Sequence, residues 1–409
     1  MQCDVAIIGA GPAGLAAGIL LRQMGYAVSV FERGDITRHK IGESLLPASM
    51  PILTRLGIGP DILNAYFQPK YGARFIDPTD NAAVRFLLLA PETSGPPSFQ
   101  VQRAAFDTLL AAQARRAGCE IYENTAVHAA DVHAPTPRLT LADGRAITCR
   151  FILDASGRAA HVAAHAHAVE KLPDLGRLAA YSYFRNLPPL DGVDADNISM
   201  VLLPAGWVWL IPLAGGETSV GMVLARPGLI GKDVGNPAAL FYAALRDAPQ
   251  LLAAVSAAQC VAPFRVAADY SFQTTRRRIG HCLLLGDAGG FLDPIFSSGV
   301  HLALESAQAA ARAVHLLLHS ADASALLHYE QTMAHKYAVF QAFVERFYQR
   351  DLVRRIFFAS AGNRRMVNAI VEILSGYTDN PDNPMLALLG HRAVAPLPAT
   401  PTPLRAEAI

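Results

Sequence analysis

The sequence predicts an α/β fold with three parts: a Rossmann-like dinucleotide-binding domain, an inserted, mostly antiparallel β-sheet domain, and a helical C-terminal segment. Three observations predict it. The apolar run Val5-Ala6-Ile7-Ile8 flows into Gly9-Ala10-Gly11-Pro12-Ala13-Gly14 and then into a helix-like stretch from Leu15 to Met24, the order strand, G-x-G-x-x-G, helix. Between residues 172 and 270 strand signals outnumber helix signals, with candidates at Tyr181 to Arg185, Ile198 to Leu203, Trp207 to Ile211 and Thr218 to Leu224. From Val300 onward, helical periodicity dominates.

The glycine run reads as a cradle for a dinucleotide. Gly9 lets the strand turn sharply, Gly11 lets the backbone approach a pyrophosphate, and Gly14 lets helix and strand pack closely. Unpaired amides at the helix start face the phosphates, so Gly9, Gly11, Pro12, Ala13 and Gly14 form the phosphate-binding set. A second strand, Ala27 to Phe31, ends in Glu32, eighteen residues beyond Gly14 and followed by Arg33. An acid there accepts ribose hydroxyls and repels a 2′-phosphate. An ordinary glycine-rich turn is the competing reading, and the flanking strand and distal acid weigh against it.

Composition narrows the classes. A chain of 409 residues with 52% hydrophobic and 17% charged residues is globular and long enough for two or three domains. A net charge of +1 argues against a nucleic-acid footprint. The apolar segment from Val5 to Leu21 is broken by Gly9, Gly11, Pro12, Gly14 and Gly18, which argues against a transmembrane segment, and no basic region precedes it. Five scattered cysteines without C-x-x-C fit neither a disulfide framework nor a thiolate metal site, so a reducing cytoplasm is expected.

Other elements follow in order. A polar stretch from Arg33 to Lys40 leads to the loop Gly42-Glu43-Ser44-Leu45-Leu46-Pro47, placed to reach a bound cofactor, and then to helix-like residues up to Leu56. Tyr66 to Phe75 reads as a turn into a strand, and Gln100 to Arg103 leads into an amphipathic helix over Ala104 to Ala117 that Gly118 closes. Glu120 to Tyr122 and the Asp143-Gly144 hairpin suit a small antiparallel insertion. Two more buried strands end in small residues and a carboxylate: Phe151 to Asp154 before Ala155-Ser156-Gly157, and His281 to Leu285 before Gly286-Asp287. The expected domains are 1–65, 100–170 and 275–320 for the nucleotide, 66–99 and 171–274 for the sheet, 321–392 for the helices, and a flexible proline-rich tail over 393–409.

These strand-end signatures, in this order, resemble the FAD-binding fold of p-hydroxybenzoate hydroxylase-like flavoproteins. The resemblance implies that Glu32 binds ribose, that Arg103 lies near the cofactor, and that Asp287 contacts the ribityl chain. It extends to flavin-dependent halogenases of the phenol or pyrrole type. Trp207-Val208-Trp209-Leu210-Ile211-Pro212 matches their W-x-W-x-I-P signature, and Phe67-Gln68-Pro69-Lys70-Tyr71-Gly72-Ala73 looks like the segment carrying their catalytic lysine. The Gly42–Pro47 loop and Asp293 to Val300 also look like that family. On this resemblance FAD is expected to touch Gly9, Gly11, Pro12, Ala13, Gly14, Glu32, Arg33, Ser44, Arg103, Asp154, Gly157, Gly286, Asp287 and Gly299.

The resemblance implies that FADH2, supplied by a separate flavin reductase, reacts with oxygen to a C4a-hydroperoxide that oxidises chloride or bromide to hypohalous acid. Amides of Ser298 and Gly299, in a turn opening a helix, suit the halide, because orphan N–H groups and the helix dipole favour an anion; a plain helix cap is the other reading. Lys70 is the expected catalytic residue, delivering electrophilic halogen to an electron-rich aromatic substrate, free or tethered to an acyl carrier protein. A solvated surface lysine is the bland alternative. Burial would lower its pKa and make it a nucleophile.

One departure shapes the substrate class. Tryptophan halogenases carry an acid two positions before the residue matching Ser298, within an E-S-T-G motif, whereas this chain has Phe296 there. An indole-directed mechanism using that carboxylate is disfavoured, and rings activated by their own heteroatom are expected. Trp207, Trp209 and Ile211 share one strand face, as wall beside the flavin or as core. His161, His165 and His167 include an i, i+4 pair able to grip a metal on a helix, but no third ligand is evident and alanines fill the gaps, so no metal is expected. Arg276 to Arg278 reads as a solvated edge, and His301 as either flavin-proximal or satisfied by backbone. Met333, Tyr337, Phe340, Phe343 and Phe347 read as the core face of a helix. The alternatives are an aromatic monooxygenase in which Lys70 is incidental, and a FAD-binding reductase that does not halogenate.

Overall fold

Four short apolar runs, buried on both faces, make the centre of the nucleotide-binding layer. A computed structural model of the chain describes residues 1–37, 40–80, 82–89, 96–172, 175–188, 194–225, 235–268, 270–349, 357–358 and 363–390. In it β1 (Val5–Ile8), β2 (Val28–Phe31), β8 (Phe151–Asp154) and β13 (Cys282–Leu284) are fully buried strands. They stand in the six-stranded order Arg278–Ile279, β13, β8, β1, β2, β7, where β7 is Glu120–Tyr122. All pairings are parallel except that of Arg278–Ile279 with β13. Continuous apolar runs are what a parallel sheet covered on both faces needs. Helix α1 (Pro12–Gln23) packs on this layer and against the long α3 (Ser298–Ser320).

Glu120–Tyr122 departs from expectation. It pairs with β2, with Ser29 opposite Glu120, and so extends the parallel sheet instead of joining the small insertion. The insertion itself is a three-stranded antiparallel sheet of Val127–Asp131, Arg138–Leu141 and Ala146–Thr148.

The second layer is an eight-stranded sheet with the path Gln259–Cys260, β9 (Arg177–Arg185), β12 (Glu217–Ala225), β11 (Gly206–Leu213), β10 (Ile198–Leu203), β4 (Gly72–Asp77) and β5 (Ala82–Leu87). Arg265–Ala268 pairs on the outer side of β9. Its pairings are antiparallel except β4 with β10. Alternation gives this sheet two faces: Trp207, Trp209 and Ile211 join the main core, while Val208, Val220 and Met222 join a separate cluster with Leu240 and Phe241. A two-stranded ladder, β3 (Gln68–Lys70) with β6 (Ser98–Gln100), lies beside it. Helix α2 (Arg103–Arg116) follows β6, α4 (Ser324–Tyr348) packs on α3, and α5 (Arg364–Leu374) comes after. Met333, Tyr337, Phe340, Phe343 and Phe347 are all buried, so they form the core face of α4. The proline-rich tail lies outside the described residues.

Candidate active site

The cradle is built by close backbone approach. Gly9 has φ +101°, and a Cβ there would strike the Ala155 carbonyl at the end of β8. A Cβ on Gly14 would run into the Gly9 carbonyl. Gly11 differs, because a Cβ there meets nothing within 4 Å; the space over it is open. No side chain caps α1, whose first residue is Pro12, so its N-terminus faces that space with free amides. The Glu32 carboxylate is buried against the cradle, accepting from the Ala10 N–H at 2.9 Å and the Gly34 N–H at 3.2 Å. Arg33 beside it is exposed.

The end of β13 closes on the same place. A Cβ on Gly286 would sit 3.3 Å from the Ala13 methyl and 3.2 Å from that of Ala303. The next residue, Asp287, is half-buried, and its partial removal from water raises its pKa to about 6 against the opposing pull of Arg158 and Arg103. A Cβ on Gly299 would stand 4.0 Å from the Asp287 carboxylate, so the start of α3 and this acid share one wall. Asp154 serves its own loop: it accepts from the Ser156 N–H at 3.0 Å and the Val162 N–H at 2.7 Å, just across Gly157. Arg103 holds Asp107 through two contacts of 3.1 Å and donates to the Ile41 carbonyl at 2.5 Å, anchoring the Gly42–Pro47 loop.

That loop leads to Lys70. Ser44 bridges Gln100 of β6 in antiparallel register, and Lys70 stands opposite Ser98. By the pleat, Ser44, Gln68, Lys70, Ser98 and Gln100 present one polar face. Lys70 is 2% exposed, its ammonium donates to the Leu45 carbonyl at 2.8 Å, and burial lowers its pKa to about 7. On the same face the Ser44 and Ser98 hydroxyls and the Gln100 carbonyl oxygen are buried without a hydrogen-bond partner. Buried polar atoms are ordinarily hydrogen-bonded, so these three call for a water, a ligand or a catalytic role to account for them. Glu43, on the opposite side of the loop, accepts from the Tyr183 hydroxyl at 2.7 Å and is raised by burial to about 7.

The tryptophans flank this region. Their rings lie 5.8 Å apart, Trp209 donates to Ser219 at 3.1 Å, and Trp207 donates to the Tyr348 hydroxyl at 3.0 Å. Ile211 is buried beside them, with Pro212 half-buried at its shoulder. The turn before α3 carries Ser297 at φ +56°, with no side chain capping the helix, and Ser298 is buried. Phe296 stacks on Phe343 with ring centres 4.4 Å apart, so the position two residues before Ser298 is a packed hydrocarbon ring.

Among the remaining residues, Arg277 corrects the expectation of a solvated edge. It is buried, lies 3.9 Å over the Tyr337 ring and donates to the Gly289 carbonyl, while both of its neighbours are at the surface, Arg276 exposed and Arg278 paired with Glu330 at 2.8 Å. Arg277 alone turns inward, where Tyr337 offers a π-face under its guanidinium. His301 is buried, with Nδ1 3.2 Å from the Ser49 hydroxyl. His165 contacts the His161 carbonyl at 2.6 Å, and among the described residues no group of three His, Cys, Asp or Glu is placed to hold a metal. Sequence reasoning missed Tyr348, Tyr183, Ser98 and Gln100. None sits in a motif, and only the fold brings them to the site.

The residues present fit FAD: an open glycine cradle over a free helix N-terminus, acids at Glu32 and Asp287, and an unpartnered Ser44 hydroxyl. Comparisons with known proteins agree. Residues 2–344 match the family model described as FAD binding domain. A 1H-pyrrole-2-carbonyl-[peptidyl-carrier protein] chlorinase of Pseudomonas fluorescens is 29% identical over 404 residues, covering 91% of this chain and 89% of that protein. A flavin-dependent halogenase of Armillaria mellea is 31% identical over 343 residues, covering 77% and 67% of the two chains. The crystal structure of a flavoprotein/dehydrogenase from Cytophaga hutchinsonii superposes with a TM-score of 0.86 at 26% identity, over 96% of each chain. Among the described residues no helix is long and apolar enough to cross a membrane. With its cradle, its buried lysine and these relatives, the chain belongs to the flavin-dependent halogenases of the FAD-binding family.

Proposed function

We propose that this halogenase transfers chlorine or bromine through Lys70 to an electron-rich phenol or pyrrole. Burial of Lys70 carries the reading: the ammonium is 2% exposed, and burial alone accounts for its lowered pKa of about 7. A lysine poised between its two protonation states at neutral pH suits group transfer. Bound reduced FAD, regenerated by a separate flavin reductase, supplies with oxygen the equivalents that turn a halide ion into hypohalous acid.

The chain's residues do the rest. The Glu32 and Asp287 carboxylates and the α1 N-terminus hold the two ends of the dinucleotide. The amides of Ser298 and Gly299 hold the halide. The neutral Lys70 amine displaces hydroxide from hypohalous acid, giving a haloamine and water once its proton is lost; the ring carbon then takes the halogen, the amine regains a proton, and the ring loses one. The ammonium form instead donates a hydrogen bond that polarises the acid. The unpartnered Ser44, Ser98 and Gln100 atoms line the approach to this nitrogen. Phe296 supports a ring activated by its own heteroatom, since no carboxylate stands there to assist an indole. The activity of the Pseudomonas relative supports a pyrrole carried by a carrier protein as one substrate form.

The test is mass spectrometry of products from phenols and pyrroles, free and carrier-bound, with FAD, a flavin reductase, NADH and either halide. A halogen isotope pattern is expected, and Lys70→Ala should abolish it while bound FAD is retained. Halogenation surviving in Lys70→Ala removes the lysine from the mechanism. A halide-independent gain of one oxygen makes the reaction a hydroxylation.

A further inference from the structure

The two tryptophans of the W-x-W-x-I-P strand are not equivalent. Trp209 spends its N–H on Ser219 of the neighbouring strand β12. Trp207 reaches out of the sheet to Tyr348, at the end of α4. The Tyr348 hydroxyl has one proton and donates it to the Asp293 carboxylate at 2.9 Å, so it accepts from Trp207 on a lone pair. The other Asp293 oxygen accepts from the Ile295 N–H at 3.0 Å and folds the short turn Pro294–Phe296. The direction of every bond in this chain is thus fixed: Trp207 to Tyr348 to Asp293, and Ile295 back to Asp293.

The turn needs this support. It ends at Ser297, a non-glycine residue at φ +56°, and opens α3 with no side-chain cap. Such a backbone persists only where its surroundings over-determine it. Arg177 fixes the other half of the arrangement, its guanidinium lying 4.2 Å over the Tyr348 ring.

We infer that Tyr348, with Trp207 behind it, is a positioning residue that holds the Asp293–Gly299 turn in its halide-binding shape, so that the tryptophan signature acts on the halide through a hydrogen-bond chain. The inference rests on the proposed halide role of Ser298 and Gly299. It accounts for two strand tryptophans with different tasks: Trp209 braces the sheet, and Trp207 braces the turn.

The experiment uses the FAD-loaded protein and bromide. Bromide affinity is read from the change in FAD absorbance on titration, which needs no turnover, and bromide KM is read separately from kcat at saturating bromide. Tyr348→Phe keeps the ring and removes the bridge. It should raise both bromide Kd and KM by about three- to tenfold, the size of one hydrogen bond, with the effect on KM exceeding that on kcat. Trp207→Phe should shift them the same way, and it carries the test should Tyr348→Phe fail to fold. Because both act along one chain, the double variant should be no worse than Tyr348→Phe alone. Unchanged bromide affinity in the single variants, additive losses in the double variant, or a fall in kcat without a change in KM overturns the inference. A native protein that makes no halogenated product overturns the halide reading itself; one that halogenates while these variants keep native bromide affinity overturns only the role of Tyr348.

Discussion

At the scale of single residues, a lysine inside a protein is the unusual event. An ammonium ordinarily stays in water, since taking it out without a counter-ion favours the neutral amine. Lys70 has a backbone carbonyl as its hydrogen-bond acceptor and burial lowers its pKa to about 7, so it is charged below that pH and neutral above it. If the neutral amine takes the halogen, kcat for halogenation rises with pH through about 7 and levels off above, since the unfolded-chain value of ~10.4 no longer governs the residue. The pH profile of single-turnover halogenation, with FAD loaded and halide saturating, measures this. A rate that falls across the same interval assigns the work to the ammonium as hydrogen-bond donor. Glu43 is raised to about 7 as well, by its own burial. Glu43→Gln separates the two groups: the limb should survive it, because Lys70 remains.

At the scale of elements, the glycine cradle makes two opposite demands within a few residues. Gly14 is tight, because a Cβ there collides with the Gly9 carbonyl, a backbone atom that cannot step aside. Gly11 is open, with nothing of the protein within 4 Å of its Cβ position. Gly14→Ala should therefore lower the melting temperature of the protein even without cofactor, whereas Gly11→Ala should fold normally and bind FAD more weakly. Thermal melts and fluorescence titration of FAD distinguish them; a Gly11→Ala protein with native FAD affinity shows that the open space is not where the cofactor runs. The contrast also explains what was legible from the residues alone. The cradle, the four buried parallel strands and the tryptophan strand are local patterns, each decided within about ten residues by period and turn chemistry. Glu120–Tyr122 was misplaced because three residues carry no period, and its partner β2 lies some ninety residues away in the chain. Arg277 was misread because a triplet of arginines looks solvated until a distant tyrosine supplies a face for one of them. Ser98, Gln100 and Tyr348 belong to the site only through register and helix packing, which no motif encodes.

At the scale of the molecule, helix α4 is a structural wall on the side of the nucleotide-binding layer where α3 begins. The core face of α4 presses on the Asp293–Gly299 turn, with Phe343 stacked on Phe296 and Phe347 edge-on to it at 5.6 Å. The same turn continues into Gly299 beside Asp287, so packing on α4 and the cofactor contact proposed for Asp287, just past the end of β13, meet in one segment. Phe343→Ala removes a buried ring and should cost about 3–5 kcal/mol of folding stability, a large share of the roughly 5–15 kcal/mol of a typical protein. A ligand that binds only the folded state adds stability in proportion to the logarithm of its concentration over Kd, about 2.7 kcal/mol at a hundredfold excess over Kd. If α4 holds the turn for the cofactor, the variant binds FAD less tightly and gains less from the same FAD concentration. The rise in melting temperature on adding FAD should accordingly be smaller in Phe343→Ala than in the native chain, measured by calorimetry at matched concentrations. Equal rises in the two proteins would show that α4 stabilises the fold without shaping the cofactor site, and the helical segment would then be read as a cover alone.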